Sequence, residues 1–170
     1  LLSDSYTDSR TSSPISVGRK RFLILLIEFS DKSFTVPATN FSDLLSGDNY
    51  QYNGATGSVT EYYHDVSFNQ FDPIFDIYGP IQVPYTSAQC ADDDTPAVVF
   101  ACNYINDHFD VDFSQYCNAN PTLVDNVFFF FPGHNQAEGG GEDTIWPHAV
   151  TYSGPFMTLD GVGVYKYGCT

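Results

Sequence analysis

The sequence predicts an α/β fold, in which helices pack against a twisted mixed β-sheet. Arg21–Phe29 is an apolar run of strand length, typical of a central strand that is covered on both faces, and Val124–Phe131, with four consecutive Phe, predicts a second buried strand. Between them, Asp94–Phe109 combines helix-start signals with an apolar stripe at helical spacing. Because strands alternate with helices and a hairpin follows late in the chain, the expected class is α/β or α+β.

Length and charge limit the classes of partner. The chain has 170 residues, enough for one domain with a substantial core. Six Lys and Arg against 21 Asp and Glu give a formal net charge of −15. This charge repels the phosphates of nucleic acids and of anionic lipids, so neither is an expected partner. No transmembrane segment is expected either, since no stretch approaches the roughly 20 apolar residues that cross a bilayer.

The chain start and the cysteines predict an extracytoplasmic location. Residues 1–19 are rich in Ser, Thr and Asp, and predict a flexible polar linker before a domain at residues 20–170. The chain begins with Leu rather than Met, which indicates a removed signal peptide or a cut chain. Four cysteines, an even number, favour an oxidising compartment, although the sequence does not choose among their three possible pairings. We therefore expect a secreted, periplasmic or cell-surface protein.

Two short helices are predicted after the first strand. Asn40–Ser46 has the composition of a helix that is capped by Asn40 and ended by Gly47. Further on, Ser58 and Glu61 have the spacing of a capping box, in which the Ser hydroxyl accepts from the N3 amide and the Glu carboxylate from the Ser amide. The helix that this box begins should run to about residue 66.

The strand after these helices is predicted at the edge of the sheet. Ile74–Tyr78 has strand character, and Pro73 is tolerated only at an edge or at a strand start. Gly79-Pro80 is expected to end this strand. Near the end of the chain, 156–159 and 162–167 are predicted to form a hairpin with a type I′ turn at Asp160-Gly161.

The long helix has the clearest sequence signals. Thr95 is the predicted N-cap and Pro96 the first helical residue, with three Asp ahead of the positive helix end. Its buried stripe is expected to consist of Val98, Ala101, Cys102, Ile105 and Phe109. On this stripe, Cys102 is expected to be a plain buried thiol.

Five ordered segments of the chain resemble the immune inhibitor A (M6) family of secreted zinc metalloproteases. They are Gly57–Tyr63 (GSVTEYY), Ser67–Pro80, Asp110–Tyr116 (DVDFSQY), Val124–Phe128 (VDNVF) and Asp143–His148 (DTIWPH). With a strand like Arg21–Phe29 ahead of them, these segments place the resemblance over roughly Lys20 to Gly168, in the family's order and at plausible spacing. The resemblance implies a zincin-like upper subdomain, that is, a twisted mixed sheet with a backing helix, and Asp94–Phe109 would be that helix.

The resemblance also implies zinc chemistry, although this chain lacks the residues for it. In such enzymes two His of an H-E-x-x-H helix hold zinc, and the intervening Glu polarises the bound water. The motif is absent here: the four His are His64, His108, His134 and His148, and no two are four residues apart. We therefore assign no catalytic residue and no metal ligand in this chain, and expect the zinc ligands and general base downstream of Thr170.

The resemblance also suggests calcium as a cofactor, but the usual calcium-binding loop is degraded in this chain. Family members often carry a D-x-D-x-D-G-x-x-D run where this chain has Cys117–Asp125, and only Asp125 remains. Calcium needs several oxygen ligands, which one carboxylate does not supply. Calcium at another place in the chain stays possible.

The candidate substrate-binding residues are Gly139, Gly140, Gly141, Trp146 and His148. In the zincin architecture an edge strand of the sheet pairs with an extended peptide, and small residues permit that close approach. Trp146 would wall a side-chain pocket, with burial in the core as the favoured alternative. For His148, a structural hydrogen bond is favoured over zinc ligation. The acids of the same loop are expected to be simply solvated.

We therefore expect the N-terminal half of the catalytic domain of a secreted zinc-dependent endopeptidase, which hydrolyses peptide bonds through a zinc-activated water. Its partners would be a protein or peptide substrate and the remaining half of its own catalytic domain. The alternative is a non-catalytic extracellular module that binds protein or glycan through an aromatic rim. A third possibility is a processed fragment that stays docked to its other half. A serine hydrolase is not expected, because the G-x-S-x-G elbow is absent.

Overall fold

The computed structural model describes residues 17–170. Residues 1–16, which make up most of the predicted linker, lie outside the described residues. The described strands are β1 (Gly18–Glu28), β2 (Phe71–Gln82), β3 (Leu123–Val124), β4 (Val127–Phe130), β5 (His148–Thr151), β6 (Met157–Leu159), β7 (Val162–Val164) and β8 (Lys166–Cys169). The α-helices are α1 (Ala38–Ser46), α2 (Val59–Val66), α3 (Ser87–Asp92) and α4 (Thr95–Phe109).

The main sheet is mixed, which confirms the predicted α/β class. Its five strands lie in the order β2-β1-β4-β8-β5. The pairs β1–β2, β1–β4 and β4–β8 are parallel, whereas β5 pairs antiparallel with β8 at one edge. A second sheet has three strands in the order β3-β7-β6. The predicted edge position of the strand after the two short helices is also confirmed, since β2 lies at the opposite edge.

The first apolar run forms a central strand, as predicted. Within β1, the five residues Leu23–Ile27 are all buried, because β2 and β4 flank the strand and side chains cover both faces. The strand begins at Gly18, so the last two residues of the predicted linker belong to it.

Helix α4 packs on one face of the sheet. Its residues Val98, Ala101, Cys102 and Ile105 are buried in one cluster with alternate residues of the neighbouring strands, such as Leu25 and Phe129. This confirms most of the predicted stripe and the buried thiol of Cys102. The prediction that Phe109 is buried was wrong. Its side chain is 53 % exposed and packs edge-on against Tyr78, with ring centroids 5.7 Å apart. The N-cap is Asp94 rather than Thr95.

Helices α1 and α2 lie on the opposite face and cover only part of it. The capping box of Ser58 and Glu61 is confirmed, as is the end of α2 at Val66. Helix α1 ends before Gly47 as predicted, but it begins at Ala38, so Asn40 is not its cap. Beside these helices an apolar groove of about 920 Å³ remains open. Its walls include Phe22, Ile24, Leu45, Tyr63, Phe75, Phe128 and Phe130.

The second apolar run is not one buried strand, which corrects the prediction for Val124–Phe131. It divides into β3 and β4, which belong to different sheets. The division occurs at Asp125, whose buried carboxylate accepts hydrogen bonds from the backbone N–H groups of Asn118 (2.7 Å) and Ala119 (3.0 Å). In β4, burial alternates: Val127 and Phe129 are buried, whereas Phe128 and Phe130 are half-buried and line the groove.

Strand β2 does not end at Gly79-Pro80 but continues to Gln82. Gly79 has φ +123°, and a Cβ there would lie 2.5 Å from the carbonyl oxygen of Leu26. Only glycine therefore fits this close approach, and the pairing with β1 shifts its register at the same point, between Leu25 and Ile27. A glycine-proline pair that normally ends a strand here marks a bulge within it.

The predicted hairpin is confirmed at its turn but not along its full length. Asp160 and Gly161 both have positive φ, 50° and 77°, as a type I′ turn requires. The second arm ends at Val164, however, and the chain then crosses into the main sheet as β8. None of the helices within residues 17–170 has the length and apolar character that a bilayer crossing requires.

Candidate functional site

A small polar pocket lies where the start of α4 meets the edge of the main sheet. Three elements supply its reactive groups: Asp94 directly precedes α4, His148 begins the edge strand β5, and Cys169 ends β8. His148 and Cys169 are opposite each other in the antiparallel register of β5 and β8. Directly opposed residues share a face of the sheet, so the two side chains meet.

The three groups form a compact cluster. The Sγ atom of Cys169 lies 3.4 Å from Nδ1 of His148 and 3.7 Å from Oδ2 of Asp94. The Nε2 atom of His148 lies 3.6 Å from Oδ1 of Asp94. Among the described residues, this is the one group of at least three His, Cys, Asp or Glu side chains whose ligand atoms all lie within 4.8 Å of one another.

The carboxylate of Asp94 is held by tyrosine. Its side chain is only 4 % exposed, and the hydroxyl of Tyr167 donates a hydrogen bond of 2.5 Å to Oδ1. The Tyr167 oxygen also lies 3.0 Å from the hydroxyl of Thr95, which in turn contacts the Tyr152 hydroxyl at 2.7 Å. Burial raises the pKa of Asp94, while the hydrogen bond from Tyr167 and the charge of His148 partly oppose that rise.

Cys169 is not placed as a nucleophile. Burial raises the pKa of its thiol to about 12, so the sulfur keeps its proton near neutral pH. The nearest histidine nitrogen, Nδ1 of His148, also lies 2.8 Å from the backbone carbonyl oxygen of Trp146. Because a carbonyl oxygen only accepts, Nδ1 carries the hydrogen and cannot deprotonate the thiol. The cluster therefore lacks the base that cysteine catalysis requires.

Trp146 forms one wall of this pocket, which has a volume of about 220 Å³. Its side chain is 57 % exposed, so the favoured prediction of burial in the core was wrong. The residue before it, Ile145, is buried and anchors the segment, while Trp146 itself projects beside His148. The structural hydrogen bond predicted for His148 is present. The substrate role assigned to both residues stays a prediction.

The glycine loop ahead of Trp146 is ordered by its own contacts. The side chain of Asn135 accepts from the N–H of Glu138 at 2.9 Å, and Gln136 donates to the carbonyl oxygen of Thr144 at 2.6 Å. A Cβ at Gly140 would lie 2.5 Å from the Thr144 hydroxyl oxygen and 2.7 Å from the backbone oxygen of Asn135. Gly140 is thus needed for packing within the loop.

The two glycines beside it differ. Gly139 adopts φ +86°, a left-handed conformation that ends a short 3₁₀ turn. A Cβ added at Gly141 would meet no atom within 4 Å, and the φ of Gly141 is not positive. Of the three glycines, it is therefore the one that leaves space for a ligand in an ordinary backbone conformation. The acids of the loop, Glu138, Glu142 and Asp143, are exposed.

His64, His108 and the degraded calcium loop have other partners. His64 Nε2 contacts Asp72 at 3.2 Å, and His108 stacks on Tyr104 with ring centroids 4.1 Å apart. At the degraded calcium loop, both oxygens of Asp125 accept backbone N–H groups, so the loop is closed by hydrogen bonds.

Sequence reasoning missed Asp94 and Cys169 as site residues. Asp94 carries the signal of a helix cap, and a lone cysteine at a strand end gives no functional signal. Only the antiparallel register of β5 and β8 brings Cys169 to His148, and that register is a tertiary property.

Compared with models of known protein families and with curated protein sequences, the chain gives no match. The M6 resemblance therefore stays a prediction from the motifs, and function is argued from the groove, the edge strand and the pocket.

Proposed function

We propose that this chain forms the sheet half of the catalytic domain of a secreted zinc-dependent endopeptidase, whose zinc ligands and general base lie downstream of Thr170. The observation that carries the proposal is the uncovered apolar face of the main sheet. The proposal also draws on the ordered motifs that resemble the M6 family.

The apolar groove has the character of an interface for a helix. Phe128 and Phe130 are half-buried beside Ile24, although they stand on a central strand, where aromatic side chains are normally covered. Exposed apolar patches of this kind mark binding sites in soluble proteins. Helices α1 and α2 already cover the adjoining part of this face through residues such as Leu45 and Tyr63. A further amphipathic helix from the remaining half of the domain would complete the same layer.

The edge strand β5 is suited to binding an extended peptide. Within the described residues it pairs only with β8, so its other edge presents free backbone groups. His148 and Val150 are half-buried, whereas Ala149 and Thr151 are exposed. A peptide that adds to this edge would gain backbone hydrogen bonds, and the pocket beside Trp146 would receive one of its side chains.

A non-catalytic binding module is the second candidate. The pocket and the free edge would bind an extended peptide, or a sugar stacked on Trp146, without any zinc. This candidate is favoured by the absence of H-E-x-x-H from the chain. It requires no further half of the domain.

The test is to read the gene past the codon for Thr170 and to express the extended chain. The proposal expects an H-E-x-x-H motif there and zinc-dependent hydrolysis of an unfolded protein such as casein. A Glu→Gln change in the motif should abolish hydrolysis while zinc stays bound. A reading frame that ends at Thr170, or a folded extended chain without hydrolysis, would overturn the proposal and favour the binding module.

A further inference from the structure

We propose that Asp94, His148 and Cys169 form a zinc site within this chain, distinct from the catalytic zinc proposed above. The site does not depend on the peptidase proposal, because its three ligands come from the described residues alone. It ties the start of α4 to the ends of β5 and β8.

The donor set selects the metal. One sulfur, one imidazole nitrogen and one carboxylate oxygen are ligands that zinc accepts together. Calcium and magnesium take oxygen ligands and disfavour sulfur, so they do not suit Cys169. Two of the ligands, the deprotonated thiol and carboxylate, would balance the charge of a divalent zinc ion. A buried site that is neutral overall avoids the desolvation cost of an unpaired charge.

Two of the separations are close to those of a tetrahedral zinc site. With bonds of about 2.3 Å to sulfur and about 2.0–2.2 Å to nitrogen and oxygen, tetrahedral ligand atoms lie roughly 3.3–3.6 Å apart. Nε2 of His148, the ring nitrogen that does not donate to Trp146, lies 3.6 Å from Oδ1 of Asp94, and Sγ of Cys169 lies 3.7 Å from Oδ2 of the same carboxylate. Each group offers one ligand atom within 4.8 Å of the others, so inward shifts on the order of 1 Å complete the geometry.

The hydrogen bonding of His148 points to a cation between its ring and Asp94. Nδ1 donates to the carbonyl oxygen of Trp146 at 2.8 Å, which leaves Nε2 facing the carboxylate of Asp94. Two electron-pair donors face each other stably only with a proton or a metal between them. A charge-assisted hydrogen bond would be about 2.7–2.9 Å long, whereas the separation is 3.6 Å. That length suits two ligands of one zinc ion.

The surroundings supply the remaining parts of a zinc site. Metal-bound histidine usually donates its other ring N–H to a carbonyl or carboxylate, as His148 does here. Tyr167 fixes the Asp94 carboxylate by donating to Oδ1. The pocket of about 220 Å³ beside Trp146 has room for a water as fourth ligand, and the half-buried ring of His148 gives solvent access.

Metal binding would release the thiol proton of Cys169 to solvent and form a zinc–thiolate bond. The change is a simple exchange of a proton for the metal and involves no oxidation. Because three elements share the ion, zinc should stabilise the fold and fix the edge strand β5.

The experiment titrates the purified, chelator-treated 170-residue chain with zinc against a chromophoric chelator, and repeats the titration with cobalt(II). We expect one equivalent of zinc, a raised Tm, and a cobalt spectrum with thiolate charge-transfer and tetrahedral bands. Cys169→Ser and His148→Gln should each weaken zinc binding by more than about 100-fold, since losing even an outer-shell partner costs about 10–100-fold. Cys117→Ser and His64→Gln are matched controls and should bind like the wild type.

Three outcomes would overturn the site. They are a wild type that takes up no zinc, zinc binding without a thiolate band in the cobalt spectrum, and control variants that weaken binding as much as the site variants. The cobalt spectrum is measured on the wild type, so it decides even where a site variant fails to fold. Hydrolysis by the extended chain is a separate readout, so failure of one proposal leaves the other standing.

Discussion

His148 and Cys169 face each other across the antiparallel pair of β5 and β8, with Sγ of the cysteine 3.4 Å from Nδ1 of the histidine. This pair places a buried sulfur at the edge strand where a peptide would bind. Asp94, from the start of α4, completes the cluster. One sheet edge thus carries both the proposed zinc site and the proposed substrate contact.

Trp146→Ala should impair peptide binding without unfolding the chain. Because the side chain is 57 % exposed, its loss should change the free energy of unfolding by less than about 1 kcal/mol. Binding of an extended peptide at β5 should weaken by about tenfold or more, as expected for a large aromatic contact. Isothermal titration with the variant and the wild type checks this.

Phe68→Ala is the matched control for Trp146, since Phe68 is 83 % exposed and does not line this pocket. It should bind peptide like the wild type. Equal peptide affinity for Trp146→Ala and the wild type would remove Trp146 from the substrate site.

Two neighbouring glycines should respond differently to substitution. Gly140→Ala forces a Cβ to within 2.7 Å of the backbone oxygen of Asn135, so the loop must move and the variant should lose about 1–3 kcal/mol of stability. Gly141→Ala meets no atom within 4 Å and should leave stability nearly unchanged. Urea unfolding measures both variants, and equal losses would contradict the described loop packing.

Asp31 should make stability depend on acid pH. The backbone N–H and the hydroxyl of Ser87 both donate hydrogen bonds to the Asp31 carboxylate. Both bonds lower the pKa of Asp31, and the bond from the backbone N–H has the larger effect. A lowered pKa means that the ionised group stabilises the fold above its unfolded value of about 3.9, and that this contribution is lost as the pH falls through the folded pKa. The Tm advantage of wild type over Asp31→Asn should therefore shrink below about pH 4.

Ser87→Ala is the control for the acid effect. It removes the hydroxyl donor but keeps the backbone N–H, which is the larger cause of the lowered pKa. Most of the pH dependence should therefore remain in this variant. A Tm difference between wild type and Asp31→Asn that stays constant from pH 7 to pH 2 would contradict the assignment.

Local signals in the sequence predicted the elements that depend on nearby residues. The capping box of Ser58 and Glu61 and the turn at Asp160-Gly161 both formed as expected, because their hydrogen bonds and φ angles are set within four residues. The run at Arg21–Phe29 also predicted a central strand, since nothing but burial on both faces suits it.

Tertiary contacts explain the positions at which the predictions from the sequence were wrong. Gly79 continues its strand only because the backbone of Leu26 approaches it closely. Asp125 divides an apolar run because its carboxylate closes a loop onto Asn118 and Ala119. The cluster at Asp94 draws on three segments that are far apart along the chain, so no spacing pattern could indicate it.

The peptidase proposal rests on one claim, that a further segment of the protein covers the apolar groove beside Phe128. The direct measurement is the fluorescence of Nile red, a neutral dye that the net charge of −15 does not repel, with the 170-residue chain and with the extended chain. We predict strong dye binding to the shorter chain, weaker binding after Phe128→Ser but not after the exposed control Phe68→Ser, and little binding to the extended chain. Equal dye binding by the two chains would contradict the claim.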